Sequence, residues 1–344
     1  MRPIPVSNPP NPWAKATVEW LGEPPNAPLC VFEEHAKSIV NEVESPDVGM
    51  MWSLNPYRGC QHACAYCYAR PTHQYWGFGA GTDFDRNIVV KVNAAALLRE
   101  TFEKKSWQGQ AISFSGNTDC YQPLEASYEL TRACLKVCFE YQNPVGVITK
   151  SALIRRDIEL LAALHKRARV GVTLSIPFAD DGMGRAIEPL ASACSNRFET
   201  IRRLVDAGIP TGVNVAPMIP GLNDTQMVEV LERAKEAGAH RAGMILLRLP
   251  KEVLPVFVER LDVAFPERAG KVKKAILEMR GGKMNEGEFG SRMEGKGPRW
   301  EVISNLFDLT VKRLGFETRG AGSDSAVEAA ATFERPRAQQ ELFK

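Results

Sequence analysis

The sequence has no apolar run approaching the roughly 18 residues needed to span a bilayer. Its amino terminus, Met1-Arg-Pro-Ile-Pro-Val-Ser-Asn-Pro-Pro10, has none of the apolar core, about 7 to 15 residues long, that marks a signal peptide. Both absences lead to the expectation of a cytoplasmic protein with no membrane partner. Cysteine is sparse, 8 in 344 residues, which is too thin for a disulfide-stapled secreted scaffold. In a reducing compartment such thiols stay free as ligands or core residues. Charge of one sign is also missing: 43 Lys and Arg against 41 Asp and Glu leave a net +2. No polyanionic partner is demanded by that balance, although a local basic surface is compatible with it. With 44% hydrophobic residues, the chain can bury a sizeable core, as one large domain with extensions or as two smaller ones.

Against this background one cluster stands out. Cys60, Cys64 and Cys67 lie within Arg58-Gly-Cys-Gln-His-Ala-Cys-Ala-Tyr-Cys-Tyr68, a C-x3-C-x2-C triplet. Three thiolates on one short loop are the soft donors that iron–sulfur clusters require. Clusters that only carry electrons, and structural zinc sites, normally close with four ligands, so three leave one iron open for chemistry. Two other readings of the same residues are a zinc site completed by His62 or Cys120, and three core cysteines without metal. Zinc ribbons need a second pair downstream. The close pair Cys134 and Cys138 sits four apart on the apolar face of a helix, where core packing explains it.

Along the chain, eight prolines within residues 1 to 28 oppose helix and mark an irregular extension. Lys37 to Val43 reads as a strand, and Met50 to Asn55 as another that runs straight into the cysteine loop. Helical periodicity and short apolar runs then alternate. Helices are expected over Asn93 to Lys105, Glu125 to Tyr141, Arg155 to Arg167, Arg197 to Ala207 (with Gly208 as C-cap) and Asp224 to Ala237. Strands are expected over Ala111 to Phe114, Val145 to Thr149, Val170 to Ile176, Thr211 to Ala216 and Gly243 to Arg248. Six strands separated by helices, some apolar enough for burial on both faces, predict parallel β/α units with functional loops at the strands' carboxyl ends. Further helices are expected over Glu267 to Arg280 and Trp300 to Leu314, flanking a glycine- and charge-rich stretch, and a small-residue flexible tail from Gly320.

Asn55-Pro-Tyr-Arg-Gly-Cys60 followed by Cys64-Ala-Tyr-Cys-Tyr-Ala-Arg70 resembles the cluster loop of the radical S-adenosylmethionine (SAM) superfamily, in its spore photoproduct lyase-like, or DNA repair photolyase-like, branch. The resemblance implies a partial (β/α)6 barrel over residues 46–265, an irregular N-terminal extension over 1–45 and a helical, basic C-terminal extension over 266–344. It implies a [4Fe-4S] cluster on Cys60, Cys64 and Cys67 with SAM on the open iron, and a one-electron reductant of the flavodoxin or ferredoxin type. Reductive cleavage of SAM would yield a 5′-deoxyadenosyl radical that takes hydrogen from a substrate. Tyr66 and Tyr68 would contact SAM, an aromatic face against adenine being a sound pairing. Ser113-Phe-Ser-Gly-Asn-Thr-Asp-Cys-Tyr-Gln-Pro123 departs from the Gly-Gly-Glu common in the superfamily. In its place Ser115, Asn117, Thr118 and Asp119 offer acceptors for the SAM ammonium, and Gly116 offers close backbone approach. Lys150 and Ser175 match positions reaching the SAM carboxylate and ribose, and Pro217, in Ala216-Pro-Met-Ile-Pro-Gly-Leu-Asn-Asp224, matches an adenine-contacting bend. Each of these positions stands at the carboxyl end of an expected strand.

The substrate is not written in these motifs. The branch name suggests damaged DNA, and residues 266 to 300 hold nine Lys and Arg against five Glu, a local +4 that can follow a phosphate backbone or simply face solvent. Cys120, next to the polar turn, is a candidate hydrogen-atom donor. An iron–sulfur electron-transfer protein and a zinc-dependent nucleic-acid-binding module remain as readings of other classes.

Overall fold

The computed structural model describes residues 28–317 and 332–336. The irregular segment expected at 1 to 28 therefore lies almost entirely outside the described residues, as does most of the expected tail. Ten strands follow in chain order: β1 (Cys30–Glu34), β2 (Val40–Glu42), β3 (Trp52–Leu54), β4 (Tyr57–Arg58), β5 (Asn87–Lys91), β6 (Ile112–Phe114), β7 (Val145–Thr149), β8 (Val170–Ser175), β9 (Thr211–Met218) and β10 (Arg241–Leu246). The main sheet has the order β10-β9-β8-β7-β6-β3-β2. Its six members from β3 to β10 pair in parallel, and β2 adds an antiparallel edge to β3. This is the expected parallel α/β architecture with six β/α units. Among the described residues its two terminal strands are β10 and β2, which do not pair with each other. A second sheet, β1-β5-β4, has no counterpart in the sequence reading and gives structure to part of the 1–45 extension.

Burial explains the strand pattern. In β7 and β8 alternate residues are buried, Val145, Val147 and Thr149 in one and Val170, Val172 and Leu174 in the other. Their side chains point to one face because the strand period is two. Met244 and Ile245 of β10 are half-buried rather than enclosed on both faces as expected.

The expected helix over 125 to 141 is two. Glu129 takes a left-handed conformation, φ 51°, between Glu125–Tyr128 and Leu130–Glu140. The buried Glu125 carboxylate accepts from the amides of Thr131 (2.9 Å) and Arg132 (3.2 Å), capping the second helix and making the break worthwhile. Helices Asp181–Ile187 and Val253–Ala264 were not anticipated.

One apolar core runs from Ile39 to Phe316 and includes Val272, Ile276, Met279, Trp300 and Val311 from the helices Pro266–Met279 and Pro298–Leu314. The carboxyl-terminal helices thus share the core of the sheet. Part of the expected loose tail is also docked: Arg335 donates to the carbonyls of Phe102 (2.9 Å), Lys104 (2.7 Å) and Trp107 (3.0 Å), and Phe333 meets Phe102 edge-on. Among the described residues no helix is long and apolar enough to cross a membrane.

Candidate metal and cofactor site

Register brings the site together. Pairing of Leu54 with Phe114 sets the residues after β3 beside those after β6, and Ser115 N–H reaches back to the Leu54 carbonyl at 3.3 Å. The cysteine loop and the polar turn are therefore neighbours at the strands' carboxyl ends, where β/α folds collect function.

The cysteine loop is held from both sides. Before it, Gly59 has φ +74°, and a Cβ there would meet the carbonyl oxygens of Phe84 at 2.9 Å and Asn87 at 3.0 Å, so only glycine fits. Asn55 Nδ2 donates to Thr118 Oγ1 at 2.8 Å. Gln122 Oε1 accepts from Gln61 N–H at 3.0 Å and its Nε2 donates to the Gly59 carbonyl at 3.1 Å. After the loop, the fully buried Arg70 donates to the Cys64 carbonyl from Nη2 (2.9 Å) and Nε (3.1 Å), to the carbonyls of Ala80 and Gly81 (both 2.9 Å), and to Asp85 at 2.9 Å.

Cys60 and Cys64 are buried and Cys67 is partly exposed. Burial and then the Glu188 charge push the Cys64 thiol well above its ordinary range. Burial and then Cys60 push Cys67 up to about 11. Two thiols of one loop that resist ionisation where they are buried, Cys64 and Cys67, fit a cationic iron–sulfur centre, whose positive charge relieves that burial. Among the described residues no three or more His, Cys, Asp or Glu side chains converge on one point as around a single ion. A cubane whose irons each take one thiolate asks for a wider spacing.

Asp119 is not an open acceptor. Its Oδ1 takes Thr149 Oγ1 (2.7 Å) and Tyr121 N–H (2.9 Å), and its Oδ2 takes Lys150 N–H (2.8 Å). Burial opposes ionisation there, but His62 and these donors outweigh it and hold the carboxyl far below the usual range. His62, fully enclosed, is pushed up to about 10: burial disfavours its charge, and Asp119 and then Cys60 overcome that. A protonated imidazole donates hydrogen bonds and has no lone pair for a metal. Ser115, at φ 70°, accepts from Cys120 N–H at 2.9 Å. A Cβ on Gly116 would come within 2.5 Å of Ser53 Cβ, and its carbonyl accepts from Tyr68 at 2.9 Å. Asn117 is the polar side chain of this turn that keeps its hydrogen-bonding groups unclaimed among the described residues.

On the opposite side, Tyr66 donates its hydroxyl to Glu188, Arg197 donates to Glu188 at 2.5 Å, and Arg197 Nη1 reaches the Ser175 carbonyl at 2.8 Å. Sequence reasoning missed Glu188 and Arg197. They fall outside the motif, and their signal is only that two charged residues are buried together. Lys150 Nζ lies 5.7 Å from the centre of the Tyr66 ring. A cis peptide precedes Pro217, whose carbonyl accepts from Asn223 at 3.0 Å. Cys120 is sealed in the core within hydrogen-bond reach of Ser115 and Thr131, and burial raises its thiol well above the ordinary range.

The basic segment is partly consumed by the fold. Arg280 donates to the carbonyls of Leu247, Arg292 and Glu294. Arg292 binds Asp47, Lys273 pairs with Asp262 and Arg299 with Glu278. Of the nine cations in 266–300, four thus already have protein partners, which weakens the expectation of a phosphate-tracking surface. Through Leu246 N–H to the Met293 carbonyl (3.0 Å) and Gly290 N–H to Asp47 (2.6 Å), this segment lies along the free edge of β10 and reaches the turn that precedes β3.

Residues 54–234 match the family model described as Radical SAM superfamily. An uncharacterised protein of Mycobacterium tuberculosis is 34% identical over 72% of this chain and 73% of its own length. One from Methanocaldococcus jannaschii is 30% identical over 59% and 73%. A protein of Pseudomonas phage M6, named a radical SAM Nalpha-GlyT isomerase, is 25% identical over 66% of this chain and 46% of its own length. Among solved structures, spore photoproduct lyase, in a mutant with bound AdoMet and dinucleoside spore photoproduct, superposes with TM-score 0.58 at 16% identity, covering 84% of this chain and 80% of that one. That last likeness shows the fold.

Proposed function

Because this chain belongs to the radical SAM superfamily, we propose that Cys60, Cys64 and Cys67 hold a [4Fe-4S] cluster and that the enzyme cleaves SAM reductively to abstract hydrogen from a substrate. When bound, the cluster supplies a single electron and an open iron that chelates SAM, and the resulting 5′-deoxyadenosyl radical is the hydrogen acceptor. The chain's own residues position and protect. The Arg70 clamp and the Gln61–Gln122 link fix the thiol-bearing loop before any ligand arrives, so little ordering remains to be done on binding. Lys150 presents its ammonium beside Tyr66 for a carboxylate. The Glu188–Arg197 pair fixes the Tyr66 ring as a wall for adenine, and Ser175 stands beside it for the ribose. Asn117 is assigned the ammonium of SAM in preference to Asp119, because the Asp119 oxygens are already filled. Tyr68 and the bend at Pro217 close the remaining sides, and a one-electron reductant of the flavodoxin or ferredoxin type is the natural donor. Cys120 is left out of this assignment, since a sealed thiol cannot meet a substrate.

The observation that carries the reading is the placement of three cysteines on one short loop braced by Arg70 and Gln122. Anaerobic reconstitution tests it. Reconstituted protein given dithionite and SAM is expected to release 5′-deoxyadenosine, and Cys60→Ala, Cys64→Ala and Cys67→Ala to release none. Absence of release from a fully reconstituted cluster overturns the proposal. The dinucleoside spore photoproduct bound in the lyase structure suggests a nucleic-acid substrate class, and product analysis with such a dinucleoside is the corresponding test.

A further inference from the structure

At the carboxyl end of β10 stands an arginine without an acid of its own. Arg248 is partly buried, and its Nε is shut off from solvent without a hydrogen-bond partner among the described residues. Its contacts there are Nη1 to the Met293 sulfur at 3.8 Å and the guanidinium carbon 5.7 Å from the centre of the Tyr68 ring. Neighbouring charges do not satisfy it. The carboxylate closest in effect, Asp47, already accepts from Arg292 and from Gly290 N–H. Arg248 and Arg292 against Asp47 leave this group with a net +1.

Taking a guanidinium out of water without an anion is costly. Tyr68 directly follows Cys67, so Arg248 stands beside the cysteine loop, and the Nη2 arm of its planar donor fork has no hydrogen-bond partner among the described residues. That fork fits phosphate and carboxylate oxygens two at a time, which a lysine does not do.

We propose that Arg248 binds an oxyanion of the substrate, a phosphate or a carboxylate, and holds it over Tyr68 beside the cysteine loop. This rests on the enzymatic reading above and adds to it a chemical requirement on the substrate: an anionic group near the carbon that loses hydrogen. Lys150, next to Tyr66, serves the carboxylate of SAM, and Arg248 serves the second ligand.

The test uses the full chain, metal-free, in thermal unfolding against inorganic phosphate, thymidine 5′-monophosphate and glutarate, with ionic strength held constant by sodium chloride. A ligand that binds only the folded state raises Tm saturably. The wild type is expected to show such a rise with at least one probe, the apparent affinity falling at least tenfold in Arg248→Gln and less in Arg248→Lys, with Lys271→Gln behaving as wild type. A stronger response to the nucleotide points to a phosphate source, and a stronger response to glutarate to a carboxylate. No saturable rise in the wild type, or an undiminished rise in Arg248→Gln, overturns the proposal. If the Gln variant is unfolded at the start, Arg248→Lys decides alone, with unchanged affinity as the contrary result. Release of 5′-deoxyadenosine by reconstituted wild type is measured separately. Oxyanion binding without that release removes the enzymatic reading only, and release without oxyanion binding removes this inference only.

Discussion

His62 Nδ1 lies 3.4 Å from Asp119 Oδ2, joining the cysteine loop to the turn after β6 through one buried pair of charges. Asp119, one of the four acceptors expected for the SAM ammonium, is thus engaged in holding the loop. In the proposed assignment the SAM ammonium falls to Asn117, two residues earlier in the same turn.

The two residues are predicted to separate in mutagenesis. Asp119→Ala strands a protonated His62 and three donors, and a broken buried pair costs on the order of 3–5 kcal/mol, so it should unfold at lower denaturant and reconstitute poorly. Asn117→Ala should leave the unfolding midpoint within about 0.5 kcal/mol of wild type while weakening SAM binding about tenfold, the equivalent of one charge-assisted hydrogen bond. Urea unfolding with SAM titration of the reconstituted protein reads both. Equal effects at the two positions would contradict the assignment.

Gly59 is predicted to tolerate no side chain. Gly59→Ala meets the Phe84 and Asn87 carbonyls and adds about 1–2 kcal/mol for an L-residue at positive φ. The measured outcome should be lower stability together with iron and sulfide contents well below those of wild type after identical reconstitution.

Glu188→Gln leaves Arg197 buried without its counter-charge, and its one amide oxygen can serve Arg197 or the Tyr66 hydroxyl but not both. A loss of roughly 3–5 kcal/mol is expected from the broken pair. Tyr66→Phe keeps the ion pair and should cost only about 1 kcal/mol. Unfolding curves of the two variants, compared side by side, check the order.

The protein should lose stability in mild acid through His73. Burial holds this imidazole, stacked 5.0 Å from Phe78, down at about 4. A base with a depressed folded-state value contributes its full stability above the unfolded value, near 6.5, and loses it as pH falls from about 6.5 toward about 4. The loss is on the order of 3 kcal/mol. His73→Gln should flatten the stability profile across that interval, and an unchanged slope would contradict it.

Much of this arrangement is legible in the chain. The six parallel strands are short apolar runs at regular spacing; the cysteines, Ser115 to Asp119 and Lys150 follow strand ends, whereas Ser175 is the last residue of β8 and Pro217 the next-to-last of β9. What the sequence hides are long-range pairings. Glu188 and Arg197 look like ordinary surface charges until the fold buries them together, and Arg292 reads as part of a basic stretch until Asp47, far back in the chain, accepts from it. The helix break at Glu129 has the same origin, since a carboxylate turns inward to cap the following helix. Local periodicity carries no trace of such partners. The β1-β5-β4 sheet was missed for a related reason: β1 is exposed along nearly its whole length, so it has no alternation to read.

The most direct measurement of the central claim is electron paramagnetic resonance of the anaerobically reconstituted, dithionite-reduced protein with and without SAM. A vacant iron predicts a [4Fe-4S] signal whose shape changes when SAM is added, and no such signal in Cys60→Ala, Cys64→Ala or Cys67→Ala. A spectrum indifferent to SAM, or a protein that takes up zinc and shows no iron–sulfur signal at all, would contradict it.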